Sequence, residues 1–208
     1  LLGPGADVAL FYFAGHGADH EGDVSLCASD GTRTTPGLRM SELLGLVHQS
    51  PVTDVIILLD CCFSGVAGAL QQNGSGSAVL RSGISILGSS RGDQVSAEID
   101  GRGLFTSLLQ AALEGGAADV LGKVTVASVY AYLTELFSPW QQRPTFKANV
   151  DRPHDLRLCR PAVPTEMLRR LHRLFPTFDF EFRLDPSYEP DAEPRNPVHE
   201  ADFALLQR

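Results

Sequence analysis

The sequence predicts an α/β fold whose mainly parallel sheet carries helices on its faces. Short apolar runs bounded by Gly, Pro, Asp or Ser are typical of strands that are covered on both faces. The chain has four such runs: Val8–Phe13, Val24–Ala28, Asp54–Leu59 and Gly83–Gly88. Three helix-like stretches lie between and after them: Met40–Gln49, Gly103–Glu114 and Val126–Phe137.

Local signals mark where two of these helices begin. Thr34-Thr-Pro-Gly37 precedes the first helix, which opens with Ser41 and Glu42, residues that favour a helix N-terminus. Thr125 is available as the N-cap of the third helix. Strands that alternate with helices in this way indicate an open sheet, in which ligands bind beyond the carboxyl ends of the strands.

The composition excludes two classes of function. Seventeen Lys and Arg residues against 25 Asp and Glu residues give a formal net charge of −8. A chain this acidic lacks the clustered cations that hold nucleic acid by counterion release, and it is not a basic membrane-surface module. The longest apolar runs are far too short to span a bilayer. We therefore expect a folded domain that binds neither nucleic acid nor membrane.

Cysteine usage points to a reducing compartment. The chain has four cysteines, and two of them are adjacent in sequence, which suits disulfide pairing poorly: Cys27, Cys61, Cys62 and Cys159. Four cysteines in a chain of 208 residues do not form a disulfide scaffold. We expect a cytoplasmic protein in which any special cysteine is catalytic rather than structural.

The chain divides into a main domain over residues 1–160 and a Pro-rich acidic tail over 161–208, which resembles a linker toward a further domain. Within the main domain, Gln71-Gln-Asn-Gly-Ser-Gly-Ser77 indicates a flexible linker over about residues 66–82. The sequence begins without Met and stops inside an amphipathic stretch. We expect it to be a fragment of a longer protein.

Two motifs follow strand ends and carry reactive side chains. Phe11-Tyr-Phe-Ala-Gly-His-Gly17 places a histidine between glycines, and Leu58-Leu-Asp-Cys-Cys-Phe-Ser-Gly65 places an acid and two cysteines. A cysteine attacks as its thiolate, and a histidine within reach activates it and later protonates the leaving amine. The backbone N–H groups of Gly17 and Cys62 are candidates for holding the developing oxyanion.

These motifs resemble the two signatures of the caspase-like cysteine peptidases (peptidase C14). His16 precedes Cys62 by 46 residues, close to the caspase spacing of about 50. The D-x-C-x-S-G pattern of residues 60–65 is similar to the metacaspase and prokaryotic caspase branch rather than to animal caspases. The resemblance covers about residues 8–137. Within it, Ser89-Ser-Arg-Gly-Asp-Gln-Val-Ser-Ala97 and Gly103-Leu-Phe-Thr-Ser-Leu-Leu109 are weaker matches to the strand and helix that follow in the family. It implies a three-layer αβα sandwich, with Cys62 as nucleophile and His16 as general base.

The same resemblance implies a substrate specificity, and it implies that the first strand and helix of the family domain are missing from this sequence. In metacaspase-like members the acid two positions before the nucleophile lies in the S1 pocket and selects Arg or Lys at P1, the residue before the scissile bond. Asp60 holds that position here, and a cleft carboxylate pairs well with a guanidinium. The first strand and helix of the family domain are not found in this fragment. Several relatives require calcium, but the acidic residues Asp19, Glu21, Asp23 and Asp30 match no calcium-loop spacing.

Caspase-like zymogens are often cut just after the catalytic cysteine loop. Here the Gly/Ser-rich stretch runs into Ala78-Val-Leu-Arg-Ser-Gly83, and Arg81 is a P1 residue that such an enzyme would itself accept. Nicking concentrates in flexible, exposed segments. We therefore expect self-cleavage after Arg81.

The sequence thus predicts a regulated cysteine endopeptidase that cleaves protein substrates after Arg or Lys. Regulated bacterial effectors of this type work with an activator or with a fused sensor or effector domain, as the resemblance implies. Two alternatives stay open: a catalytically silent caspase-like assembly module, and a thiol hydrolase of a non-protein acyl substrate. The latter needs the same Cys–His dyad but no acidic S1 residue.

Overall fold

A computed structural model describes residues 3, 5–20, 22–61, 80–89, 98–99, 102–137 and 144–177, with shorter pieces at 179–181, 185–189, 191–194, 196–197, 200 and 203–204. The strands are β1 (Val8–Ala14), β2 (Gly17–His20), β3 (Asp23–Cys27), β4 (Gly37–Arg39), β5 (Asp54–Asp60), β6 (Ile84–Gly88), β7 (Glu98–Ile99), β8 (Arg102–Gly103), β9 (Lys123–Thr125), β10 (Thr145–Asn149) and β11 (Asp155–Leu158). The α-helices are α1 (Met40–Gln49), α2 (Leu104–Ala111), α3 (Val126–Leu136) and α4 (Thr165–Leu174).

The central sheet has the strand order β1-β5-β6-β10. β1, β5 and β6 run parallel, while β10 is antiparallel to β6 at one edge. This is the mainly parallel α/β sheet that the sequence predicts. Both β1 and β5 continue one residue beyond their predicted ends because Ala14 still pairs with Asp60.

Two apolar cores cover the two faces of this sheet. Alternate residues of β5 contribute to opposite faces, as the two-residue period of a strand requires. Val55, Ile57 and Leu59 pack in a core with α1, whereas Ile56 and Leu58 pack in a core with α2 and α3. The result is a three-layer αβα arrangement, and the continuous apolar sequence of β5 is explained by burial on both sides.

The predicted strand at Val24–Ala28 lies outside the central sheet. It forms β3 in the middle of a separate antiparallel sheet, in the order β2-β3-β4. Val24 and Leu26 are 4% and 2% exposed because they pack against α1 in the first core. A short buried apolar run has the same sequence pattern in either kind of sheet, so the assignment to the parallel sheet was wrong.

Helix boundaries follow the predicted signals closely. α1 spans the predicted residues, and Thr125 caps α3 by accepting a hydrogen bond from Ser128 N at 3.1 Å. Ser128 Oγ in turn accepts from Thr125 N at 2.9 Å, which completes a capping box. α2 is shorter than predicted because the chain becomes π-helical over Ala112–Gly116, where Gly115 has a φ of +125°.

The chain divides into two compact units. One comprises Leu1–Ala118 and Lys123–Cys159, and it contains the central sheet and both cores. The other comprises Asp119–Gly122 and Arg160–Arg208. In the second unit, α4 is followed by an edge-to-face contact between the rings of Phe175 and Phe180. None of the helices in the described ranges combines the length and the apolar character that crossing a bilayer demands.

Arg81 binds the backbone at the amino ends of the parallel strands. Its guanidinium group donates hydrogen bonds of 2.8 to 3.1 Å to the carbonyl oxygens of Val47, Val52, Thr53 and Ser82. Val47 is in the last turn of α1, and its carbonyl oxygen also accepts from Ser50 N, the C-cap residue, at 3.2 Å. Arg81 therefore ties the end of α1 and the α1–β5 loop to the start of β6.

Replacing Arg81 by Met is expected to lower the free energy of unfolding by about 3 kcal/mol, because its bonds to Val47 O and Val52 O are partly buried and each hydrogen bond to a charged donor contributes at least about 1.5 kcal/mol. Arg157→Met is the matched control, since this guanidinium donates one such bond, to Leu113 O at 3.1 Å. Denaturant unfolding of the two variants gives the comparison. Equal losses would contradict the role assigned to Arg81.

Candidate active site

The candidate site begins where β1 and β5 end side by side. Ala14 is the register partner of Asp60, and one residue later Gly15 N donates to Asp60 O at 3.0 Å. His16 and Cys62 each follow this pair by two residues in sequence. The two motifs predicted to meet therefore leave the sheet from neighbouring strand ends.

In sequence, His16 lies between β1 of the central sheet and β2 of the antiparallel sheet. Its carbonyl oxygen accepts from Cys27 N at 2.9 Å, and Gly17 then opens β2 opposite Leu26. The backbone on both sides of the histidine is thereby fixed to a strand, while its side chain is exposed. A solvent-facing imidazole on a fixed backbone is suited to proton transfer with a bound substrate.

Of the two adjacent cysteines, Cys61 is the one that the structure describes. Cys61 is 1% exposed and packs in the α1-side core, as a buried apolar residue does. Cys62, the predicted nucleophile, lies outside the described residues, as do residues 66–79 of the predicted linker. The described part of the site thus ends at the peptide group that joins Cys61 to Cys62.

Asp60 is a buried carboxylate, 7% exposed. Its Oδ2 accepts from Thr106 N at 3.2 Å and from the Thr106 hydroxyl at closer range. Thr106 is in the first turn of α2. Asp60, at the end of β5, therefore caps this helix and faces the positive end of its dipole. None of the described residues donates a hydrogen bond to the second carboxylate oxygen, Oδ1, and none supplies a cation.

The Asp60 carboxylate is held by a short chain of hydroxyl groups. Because an ionised carboxylate only accepts, the Thr106 hydroxyl donates to Asp60 and accepts from Tyr12 Oη at 2.7 Å. Gly103 makes the close approach possible, since a Cβ at that position would clash with Asp60 Oδ2. Sequence reasoning missed Tyr12 and Thr106, although the Gly103-Leu-Phe-Thr106 motif was noticed as part of the resemblance.

A third strand end contributes Ser89, which directly follows β6. Its N–H donates to Leu59 O at 2.9 Å, and its hydroxyl donates to Cys61 O at 3.2 Å. Ser89 is 1% exposed, so this second bond is shielded from water. The sequence assigned no role to this residue.

Calcium is the cofactor that the family resemblance implies, and the described carboxylates do not fit a calcium site. Asp19 Oδ1 accepts from Gly22 N at 3.1 Å within a turn. Asp23 accepts from Val24 N at 2.8 Å and from Ser41 N at 3.2 Å, at the start of α1. Across the described ranges, no three His, Cys, Asp or Glu side chains are grouped so as to hold a metal ion.

The predicted site residues thus fall in two places. His16, Gly17 and Asp60 lie at the carboxyl-end edge of the parallel strands, together with Thr106 and Ser89. Arg81 lies at the opposite edge, before β6 begins. Five residues of strand separate the two edges, which corresponds to about 16 Å at about 3.3 Å per residue.

Two solved structures resemble this chain at low sequence identity. The chain is similar to a crystal structure of protein GSU0716 from Geobacter sulfurreducens, at 18% identity and a TM-score of 0.49, over 71% of this chain and 68% of that one. It is also similar to the crystal structure of Caspase-1 from Spodoptera frugiperda, at 14% identity and a TM-score of 0.39, over 71% and 62%. No curated protein matches it.

The family model of the caspase domain, peptidase C14, matches residues 3–154, which include both motifs and the whole central sheet. The chain belongs to the caspase-domain family of peptidases.

Proposed function

We propose that this chain is a cysteine endopeptidase that cleaves proteins after Arg or Lys, with Cys62 as nucleophile and His16 as general base. The observation that carries the proposal is the parallel pairing of β1 with β5 in the register Ala14 to Asp60. That pairing brings the histidine motif and the Asp-Cys-Cys motif to neighbouring strand ends. In open α/β sheets this is the edge where ligands bind.

In the proposed reaction, His16 takes the proton of the Cys62 thiol, and the thiolate attacks the scissile carbonyl carbon. The carbonyl π electrons move to oxygen, where the N–H groups of Gly17 and Cys62 stabilise the negative charge. Collapse of this intermediate breaks the C–N bond, and His16 returns the proton to the leaving amine. Water then hydrolyses the thioester, with His16 again as the base.

The environment of Asp60 supports a preference for a basic P1 side chain. Its carboxylate is buried, and its hydrogen-bond donors in the described structure are the neutral groups of Thr106. A buried negative charge without a cation is costly, and a substrate guanidinium would offset that cost with a charge-assisted hydrogen bond to Oδ1. A neutral or acidic P1 side chain offers no such compensation.

We assign the enzyme to a reducing compartment, such as the cytoplasm. The three described cysteines, Cys27, Cys61 and Cys159, are in the thiol form and not in disulfides. Its substrates would be proteins, and its control would come from an activating signal, a fused domain or self-cleavage.

Cys62→Ala and His16→Ala are each expected to lower kcat for a peptide amide ending in Arg by at least about a thousandfold, because each removes a member of the dyad. Turnover of fluorogenic peptides, with and without calcium, gives the measurement. Cys61→Ala is the matched control, since its sulfur is in the core. Turnover that survives Cys62→Ala would exclude this nucleophile, and no turnover by the wild-type chain under any condition would favour the silent module.

Asp60→Asn is expected to lower kcat/KM about a hundredfold for a P1 Arg peptide and far less for the same peptide with citrulline, the neutral analogue of Arg. Asn keeps a side-chain oxygen for Thr106 and loses only the charge, so helix capping is largely preserved. Competition between the two peptides measures the ratio directly. An equal loss for both peptides would mean that Asp60 only supports the fold.

Self-cleavage after Arg81 is expected to occur between molecules. The Arg81 guanidinium binds carbonyl oxygens at the sheet edge opposite to the candidate site, so it must leave them before it can enter an S1 pocket, and it cannot reach the pocket of its own folded chain. The first-order rate constant should therefore rise in proportion to protein concentration, and the new N-terminus should be Ser82. Mass spectrometry over a dilution series tests this, with the Cys62→Ala chain as the uncleaved control. An active enzyme with an intact linker would contradict self-cleavage.

A further inference from the structure

Ser89 contacts the backbone beside the proposed nucleophile, through a bond that the strand pairing does not require. The β5–β6 register ends at Leu59 and Gly88, and Ser89 N already continues it by donating to Leu59 O at 2.9 Å. The hydroxyl makes a separate bond to Cys61 O at 3.2 Å. Removing the hydroxyl would leave the backbone pairing of β5 and β6 intact.

The acceptor of this bond belongs to the peptide group that also contains the Cys62 N–H. A peptide group is planar, so fixing the carbonyl oxygen restrains the plane in which the N–H of the next residue lies. A hydrogen bond to the carbonyl also polarises the peptide and makes its N–H a stronger donor. Ser89 and Cys61 are each 1% exposed, so water competes little for this bond.

We propose that Ser89 is a positioning residue that orients the Cys61–Cys62 peptide, so that the Cys62 N–H is aimed at the oxyanion of the tetrahedral intermediate. The proposal rests on the function proposed above. It assigns Ser89 no contact with substrate, because the hydroxyl acts through the peptide group. An oxyanion donor is effective only when it is aimed, before reaction, at the position where charge develops.

This role predicts a specific pattern in the Ser89→Ala enzyme. Loss of a whole oxyanion donor costs about a hundred- to a thousandfold in kcat. Loss of the Ser89 hydroxyl, which only orients that donor, should lower kcat less, by about tenfold, with KM for a P1 Arg peptide nearly unchanged. A peptide aldehyde forms a tetrahedral adduct on the thiol and uses the same N–H, so its affinity should fall by a similar factor. Alkylation of Cys62 by iodoacetamide involves no oxyanion and should keep its rate.

The experiment measures these three quantities on the full chain of the wild type, Ser89→Ala and Ser85→Ala. Ser85 is the matched control, because it is a second buried serine, 6% exposed, and lies in β6 four residues upstream of Ser89. Thermal unfolding of both variants establishes that they fold. Ser89→Thr, which keeps the hydroxyl, should recover aldehyde affinity relative to Ser89→Ala.

The outcomes are separable. A loss of kcat and aldehyde affinity in Ser89→Ala, with unchanged alkylation and an unaffected Ser85→Ala enzyme, supports the proposal. A parallel loss of alkylation rate would show general damage to the site and would overturn it, as would wild-type values in Ser89→Ala. If the wild-type chain shows neither turnover nor aldehyde binding, the proposed function itself fails and Ser89 loses this role with it.

Discussion

The register between β1 and β5 is the constraint on which the rest of the structure depends. Each strand carries one motif at its carboxyl end, and a shift by one residue would turn the core side chains of a strand to the opposite face. Such a shift of β1 would remove Ala9, Phe11 and Phe13 from the α1-side core. It would also remove Tyr12 from its hydrogen bond with Thr106. Packing of the sheet therefore fixes the alignment of the two motifs, although none of the core residues takes part in the chemistry.

Polar contacts then extend this alignment to the surrounding elements. Asp60 connects β5 to α2 through Thr106, and Ser89 connects the end of β6 to the backbone that leads to Cys62. Both contacts begin from strand ends that the cores have already fixed, and the residues Asp60 and Ser89 are both buried. A side chain held in this way loses little further freedom when a substrate arrives, which favours catalysis by preorganised groups.

The sequence predicted the parallel strands and helices well because their signals are local. The apolar runs of β1, β5 and β6 are each within one residue of their predicted bounds, and Gly83 falls outside β6 because its φ of +87° ends the extended backbone. β10 was not predicted from the sequence, because its Thr, Lys and Asn residues form an edge strand with little apolar character. The contact between Tyr12 and Thr106 was not predicted either, because it joins residues 94 positions apart. That the two motifs follow neighbouring strand ends could be predicted from the sequence, whereas the hydrogen bonds of Asp60 and Ser89 required the fold.

The capping of α2 by Asp60 has a consequence for how substrate preference can change during evolution. The Asp60 carboxylate both caps the first turn of α2 and lies in the proposed S1 pocket. A substitution of Asp60 therefore alters stability and selectivity in a single step. Because natural proteins have only a few kcal/mol of stability to lose, few replacements at this position are tolerated. New specificities would arise more readily from neighbouring loops, which can vary while the helix keeps its cap.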